Sequence, residues 1–568
     1  MTGRPLRLPV GTWLIALVAV WAVAAGSAQA AGSAQAAGAD ASAQAAGAGG
    51  GSAQAAVTST RPADSGSWTV YHHDAAGTGV AAPVTAVDTA RRAWTSPVLD
   101  GEIYGEPLVW SGRVFVATEN DTVYALSSAS GAVVWSAHLG SPVPATSLPC
   151  GNISPTVGIT GTPVIDKARG EIFVVADELV NRAPAHLLIG LSTATGKREM
   201  TQSVDPPGAD TAALLQRTGL TLDAGLVVFG LGGNFGDCAA YRGRLTAVSE
   251  AGGTPTYFTV DAAPGESQGA IWMGGAAPAV DGGGHLWVSV GNGSVTSAAD
   301  PFDNSDSVLE LSPSLRLLQF FAPRTWASDN ARDLDMSMEP ALLPGGQVVA
   351  AGKAGIAYLL SSVHLGGIGG QRAVLGSVCG RDIAGGSAVT GTTIYLPCAG
   401  GIVAVRAERS PAALSLLWRS GVGGGPPIAA AGLVWTIGQD GTLSGLEPAT
   451  GKVRQRAAIG VPANHFPTPS VGGGLLLAAA ARNVVAFAAP AAGTSASATP
   501  TGSPAPRTGP GTVPASGTAR PPDAAGGTLP PGAIVAIVAG CLAAAGLAGR
   551  LAWRRRAGRA SAGKHGRG

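Results

Sequence analysis

The sequence predicts an all-β fold. It is an eight-bladed β-propeller of four-stranded blades, the last blade closed by the N-terminal strand, with a C-terminal transmembrane helix. Three observations predict this. A two-strand unit, typified by GRVFVATENDTVYALSSASG, recurs from Gly112, Gly170, Gly225, Gly284, Gly346, Gly391, Gly432 and Gly474, at a spacing of roughly 40 to 60 residues that marks propeller blades. Small residues and a proline precede several of these pairs, at Pro107, Pro163, Pro278, Pro340 and Pro469. These segments are the expected innermost strands, where backbones crowd the axis. Finally, RRAWTSPV around Trp94 has no upstream partner, while the last repeat ends at Phe487 without its fourth strand. Pairing the two removes exposed sheet edges, which invite aggregation.

Each unit reads as two strands. In the first, Val114, Val116, Val123 and Ala125 carry the period-2 pattern of half-buried β structure. Asn120-Asp121 and the SSASG run are its turns. The composition agrees: charged residues are only 12%, about half the usual share, and the 85 glycines and 40 prolines suit a turn-dense chain with linkers. A formal net charge of +1 gives no argument for a nucleic-acid partner. The five cysteines contain no CxxC, so no haem-attachment motif is present.

Taken in order, residues 1–30 read as a signal peptide. Arg4 and Arg7 are basic, an apolar run follows from Leu8 to Ala25, and Ala28-Gln29-Ala30 is a small-x-small cleavage site. Residues 31–66 are an Ala/Gly/Ser/Gln-rich linker. The propeller spans 67–490 and opens with WTVYHHDAAGTG. His72, His73 and Asp74 offer metal-ligand chemistry, but neighbours in a strand point to opposite faces, so a structural closure segment is the better reading. Cys379 with Cys398 and Cys150 with Cys238 are disulfide candidates in an oxidising compartment. Four cysteines allow about three connectivities, which the sequence does not distinguish.

Residues 491–531 form a Pro/Thr/Ser/Gly-rich stalk. Residues 532–553 are the expected transmembrane helix, carrying the uncharged run AIVAIVAGCLAAAGLAG with Cys541 inside it. Residues 554–568 are a basic tail, whose arginines orient it to the cytoplasm. The expected location is the cell membrane, crossed once, with the propeller extracytoplasmic.

The LSTATGK (191–197) and LEPATGK (446–452) turns resemble those of the PQQ-type propeller repeat, the family of quinoprotein alcohol dehydrogenases and of scaffold proteins that bind no quinone. The resemblance covers most of residues 67–489. It implies a site in a fixed order along the chain. Trp272 in GAIWMGG would be the floor on which the quinone stacks, and Asn292 in VSVGNGS a calcium ligand. Asp333 in DNARDLD, with Asp335 close by, would be the base, and Lys353 in AAGKAG the cation on the quinone. Asp237 in GGNFGDCAAYRG stands nearest the first carboxylate ligand.

PQQ and calcium are the cofactors so implied. The chemistry is coherent: calcium takes hard oxygen ligands, cations polarise a quinone carbonyl, and a carboxylate removes the substrate hydroxyl proton. The chain also departs from the dehydrogenase pattern. It has no vicinal cysteine pair, Asp237 replaces a glutamate, Arg332 replaces a tryptophan, and no haem motif supplies an electron acceptor. Each residue has a plainer reading as well. Trp272 can pack between blades, Gly291-Asn292-Gly293 can be a turn, the aspartates can cap a loop, and Lys353 can be a hairpin lysine. The expected function is therefore a binding or assembly scaffold holding a protein or glycan on one propeller face. The alternative is a PQQ/calcium-dependent dehydrogenase of alcohols or sugars.

Overall fold

The computed structural model describes residues 66–81, 86–380 and 382–489. The expected signal peptide, stalk, transmembrane helix and basic tail, and all but the end of the first linker, lie outside these residues. No helix among the described residues is long and apolar enough to cross a membrane.

Eight sheets follow one another along the chain. Blade 1 runs Leu108–Trp110, Arg113–Ala117, Thr122–Ser127 and Val133–His138, each strand antiparallel to the next. The innermost strands of blades 2 to 7 are Val164–Asp166, Thr221–Asp223, Ala279–Val280, Ala341–Leu343, Ala388–Thr390 and Ile428–Ala430. Blade 8 is Ser470–Gly472, Leu475–Ala480, Asn483–Ala488 and, as its outermost strand, the N-terminal Arg92–Thr95. Trp94 stands opposite Ala486 and Thr95 opposite Val485, so the last blade is closed as expected. Where the innermost strands follow Pro107, Pro163, Pro278, Pro340 and Pro469, each begins at the next residue.

Two sheets exceed four strands. Leu214–Leu215 adds to the end of Leu226–Gly233 in blade 3, and Gly367–Ile368 lies parallel to Leu317–Ala322 at the rim of blade 4. In blade 3 the host strand outlasts its inner neighbour, and in blade 4 the host is the outer edge strand; in each case a passing segment takes up free backbone groups.

The repeat glycine has a conformational cause. All eight, from Gly112 to Gly474, adopt φ between 62° and 79°, the left-handed region that side chains other than glycine tolerate poorly. Gly112, Gly225, Gly391, Gly432 and Gly474 have open space where a Cβ would sit, so backbone angle and not crowding selects glycine there. The half-buried alternation expected for the strands is replaced by burial on both faces. Val114, Phe115, Val116 and Ala117 are all essentially inaccessible. Middle strands lie between two neighbouring blades, whereas the outer strand Val133–His138 alternates.

Residues 66–81 fill the axis. Trp68 pairs with Val109 of blade 1, the Thr69 carbonyl accepts from Ile165 of blade 2, and the Ala75 carbonyl accepts from Val280 of blade 4. The Thr78 carbonyl accepts from Val389 of blade 6, and Ala81 donates to Ala429 of blade 7. Only a segment on the axis reaches the innermost strands of all these blades. His72 and His73 sit in a turn with φ of 54° and 79°, not in the strand from which their separation was argued. The structural reading still fits: Tyr71 and His72 stack at 4.3 Å, and burial lowers the His72 imidazole to about 3, leaving it neutral.

Candidate functional site

Because successive strands of a blade alternate direction, its connections alternate between the two ring faces. Turns after the first and third strands lie on one face. Turns after the second strand, and the crossings between blades, lie on the other. Trp272 is on the crossing into blade 4, Asn292 follows its second strand, Asp333 and Asp335 are on the crossing into blade 5, and Lys353 follows that blade's second strand. Asp237 follows the second strand of blade 3. All the candidate residues therefore share one face.

Asp335 is the hub. Its side chain is 3% exposed, and it accepts from the Trp272 Nε1 at 3.0 Å and from the Asn292 backbone N–H at 2.9 Å. The Lys353 ammonium lies 2.8 Å from Asp335 Oδ2 and 2.6 Å from Asp333 Oδ1. It also lies 5.4 Å from the Trp272 ring centroid, within cation–π reach. Burial acts to lower the Lys353 pKa, but Asp335 and Asp333 outweigh it and hold the ammonium above its ordinary range. Gly291 leaves room for this arrangement, since a Cβ there would stand 3.1 Å from both the Asp335 carboxyl carbon and Trp272 Nε1.

Asp237 makes its hydrogen bond elsewhere: its Oδ1 accepts the Tyr241 hydroxyl at 2.6 Å. The neighbouring Cys238 is bonded to Cys150, and Cys379 is bonded to Cys398.

Next to Trp272 lies a group that the sequence motifs did not mark. The Arg217 guanidinium is 5.9 Å from the Tyr104 ring and 5.7 Å from the Phe466 ring. It donates to Asn464 Oδ1 at 2.6 Å, and the Asn464 amide donates to the Tyr104 carbonyl. Phe466 in turn meets Trp272 at 5.8 Å. Among the described residues no carboxylate lies within ion-pair distance of Arg217, and burial pulls its pKa down. The available signal was an arginine inside the leucine-rich run ALLQRTGLTL.

The quinone-and-calcium pair fits these residues incompletely. The stacking ring, the carboxylates and the lysine do converge. Among the described residues, however, no three carboxylate, imidazole or thiol groups gather around Asn292 at ligand distances. Asp333 and Asp335 share the single Lys353 ammonium, and Asp237 is engaged by Tyr241. The donor set is not that of a calcium site, and no chemical step is derived through one.

A PQQ-repeat family model, described as outer membrane protein assembly factor BamB, matches residues 34–175 and 78–308. A comparison with curated proteins gives no match. Among solved structures, the fold is similar to the quinohemoprotein alcohol dehydrogenase of Comamonas testosteroni, at 16% identity over 75% of this chain and 81% of that one, with a TM-score of 0.55. It is also similar to the quinohemoprotein alcohol dehydrogenase ADHIIG of Pseudomonas putida HK5, at 16% identity over 78% and 82%, with a TM-score of 0.56. A europium-containing methanol dehydrogenase aligns at 15% identity over 75% and 98%, with a TM-score of 0.55. Identities this low speak for shared architecture and not for shared activity. Together, the repeat turns, the eight blades and the family match over residues 34–308 support a PQQ-type β-propeller family for this chain.

Proposed function

We propose that this protein is an extracytoplasmic binding or assembly propeller, anchored by residues 532–553, whose recognition surface is the ring face carrying Trp272 and Arg217. The observation that carries the reading is the half-buried Arg217 guanidinium, flanked by Tyr104 and Phe466 and without a carboxylate partner among the described residues. A buried cation without a counter-ion is costly, and a ligand carboxylate in bidentate contact would relieve that cost. Aromatic rings beside an arginine and an asparagine suit the apolar faces and polar edges of a sugar. The ligand class is accordingly an acidic glycan.

The test is equilibrium binding of the purified protein to uronic-acid-containing and neutral oligosaccharides. Selective binding of the acidic sugars, lost in Arg217→Ala, supports the reading. Binding of none of them, or of a protein partner instead, overturns the glycan assignment. The dehydrogenase alternative is favoured by the order of Trp272, Asp333 and Lys353 around one ring face. It predicts dye-linked alcohol oxidation on adding PQQ and calcium, abolished in Asp333→Asn, and that result would displace the scaffold reading altogether.

A further inference from the structure

The opposite ring face carries a separate constellation. The turn DGGGH (281–285) joins the first two strands of blade 4 and brings Asp281 and His285 together. His285 Nδ1 lies 3.4 Å from Asp281 Oδ2 and 2.8 Å from Glu310 Oε1. One donor atom from each of the three residues falls within 4.8 Å of the others. Ligand atoms about 2.0–2.2 Å from a tetrahedral ion stand about 3.3–3.6 Å apart, and the His285 distances lie at and just below that range.

The donors are positioned by the fold. Asp281 Oδ1 accepts the backbone N–H groups of Gly283 and His285, and Asp281 Oδ2 accepts the Trp287 indole N–H. Glu310 is 4% exposed, and its second oxygen takes the Gln319 amide. Such outer hydrogen bonds orient the ligands of metal sites.

Two further polar groups border the same region. Asp223, on the adjoining turn of blade 3, has a buried Oδ2 with no hydrogen-bond partner, and its Oδ1 stands 3.6 Å from where a Cβ of Gly284 would be. A recess of about 320 Å³ is bordered by Asp281, Gly282, Gly283 and Gln347. Gln347 is 8% exposed, and its Oε1 also lacks a partner.

The geometry points to a divalent transition-metal site made by Asp281, His285 and Glu310, whose imidazole and carboxylate donors are among those that zinc accepts. Three protein ligands leave a coordination position for water or an oxygen donor from the recess. This site shares no residue with the Trp272 face, so it stands or falls separately from the binding role proposed there.

The test is titration of the whole protein, stripped with EDTA, with zinc and with cobalt(II) as a visible-absorbing reporter. The expected result is one ion per chain, a cobalt d–d band, and a higher melting temperature with zinc than with EDTA. His285→Ala and Glu310→Gln should each weaken uptake at least tenfold, while Asp440→Asn, an exposed turn carboxylate, should leave it unchanged. Circular dichroism of the metal-free variants reports whether they fold, and the wild-type titration stands without them. Absence of one-to-one uptake by the wild type, or unchanged uptake by a folded His285→Ala protein, overturns the proposal.

Discussion

The Trp94 indole on the closing strand lies against Gly131 of the neighbouring blade and donates its Nε1–H to the Ser128 carbonyl at 2.8 Å. The same contact recurs between Trp135 and Gly196, with Nε1 donating to Thr193, and between Trp418 and Gly451, with Nε1 donating to Pro448. In each pair a Cβ on the glycine would collide with the indole. The glycine of the turn before each outer strand therefore serves the preceding blade as well as its own hairpin.

Ring closure should be sensitive at that contact. Trp94 is 8% exposed, and removing a buried tryptophan side chain costs about 3–5 kcal/mol. Gly131→Ala meets both a collision and a φ of 71°, so it should also lower the melting temperature. Differential scanning calorimetry of Trp94→Ala and Gly131→Ala checks both, and wild-type stability in either would contradict this account of closure.

Lys353 and Asp333 should behave asymmetrically although they are partners. Removing the lysine leaves the Asp335 charge buried without its cation, a loss of about 3–5 kcal/mol for a broken buried pair. The Asp333 side chain is 63% exposed, so Asp333→Asn should cost about 1 kcal/mol or less. Urea unfolding of Lys353→Met and Asp333→Asn gives the comparison.

Stability should fall as pH rises. Burial, reinforced by neighbouring carboxylates, pushes Asp121 up to about 10 and Asp261 to about 9. For His186, burial acts downward, but Asp177 and Asp205 outweigh it and raise the imidazole to about 9. All three hold more protons folded than unfolded. The stability from the carboxyls is therefore present below about pH 4 and lost through about 9–10, and that from His186 is lost between about 6.5 and 9. Melting temperature should decline from pH 5 to pH 9, and Asp121→Asn should flatten the decline. A rise over that range would contradict the assignment.

The two disulfides should differ in weight. Cys150–Cys238 spans 88 residues of sequence and Cys379–Cys398 spans 19. Loop-closure entropy gives about 4–5 kcal/mol for the longer loop and about 3 for the shorter. Paired Cys→Ala variants, compared by guanidinium unfolding, should preserve that order.

The propeller was legible in the sequence because its signals are local. A glycine at positive φ, a proline before most of the tight inner strands and a tryptophan-bearing strand in search of a sheet are written into short windows. The candidate site was only half legible. Motif order gathered Trp272, Asn292, Asp333 and Lys353 on one face, but the residue that binds them, Asp335, was read only as a neighbour of Asp333. Its importance comes from hydrogen bonds to residues 43 and 63 positions away, which no window contains. Arg217 was missed for the same reason, since its rings come from Tyr104 and Phe466, which are distant in sequence but adjacent in the closed ring. Burial of strands on both faces was also hidden, because it depends on the neighbouring blade and not on the strand itself.

The segment along the axis and the strand that follows it set an order of events during synthesis. Ser96 donates its backbone N–H to Val484, and Gly473 donates to the Gly66 carbonyl, so the earliest part of the domain waits for the latest. At about 5–20 residues per second, that delay is roughly 20–80 s, during which the strand carrying Trp94 has no partner strand to join. A newly made chain must therefore keep that aromatic anchor out of trouble until its final hairpin emerges, and a chaperone acting on this protein would have its longest task at the N-terminal end.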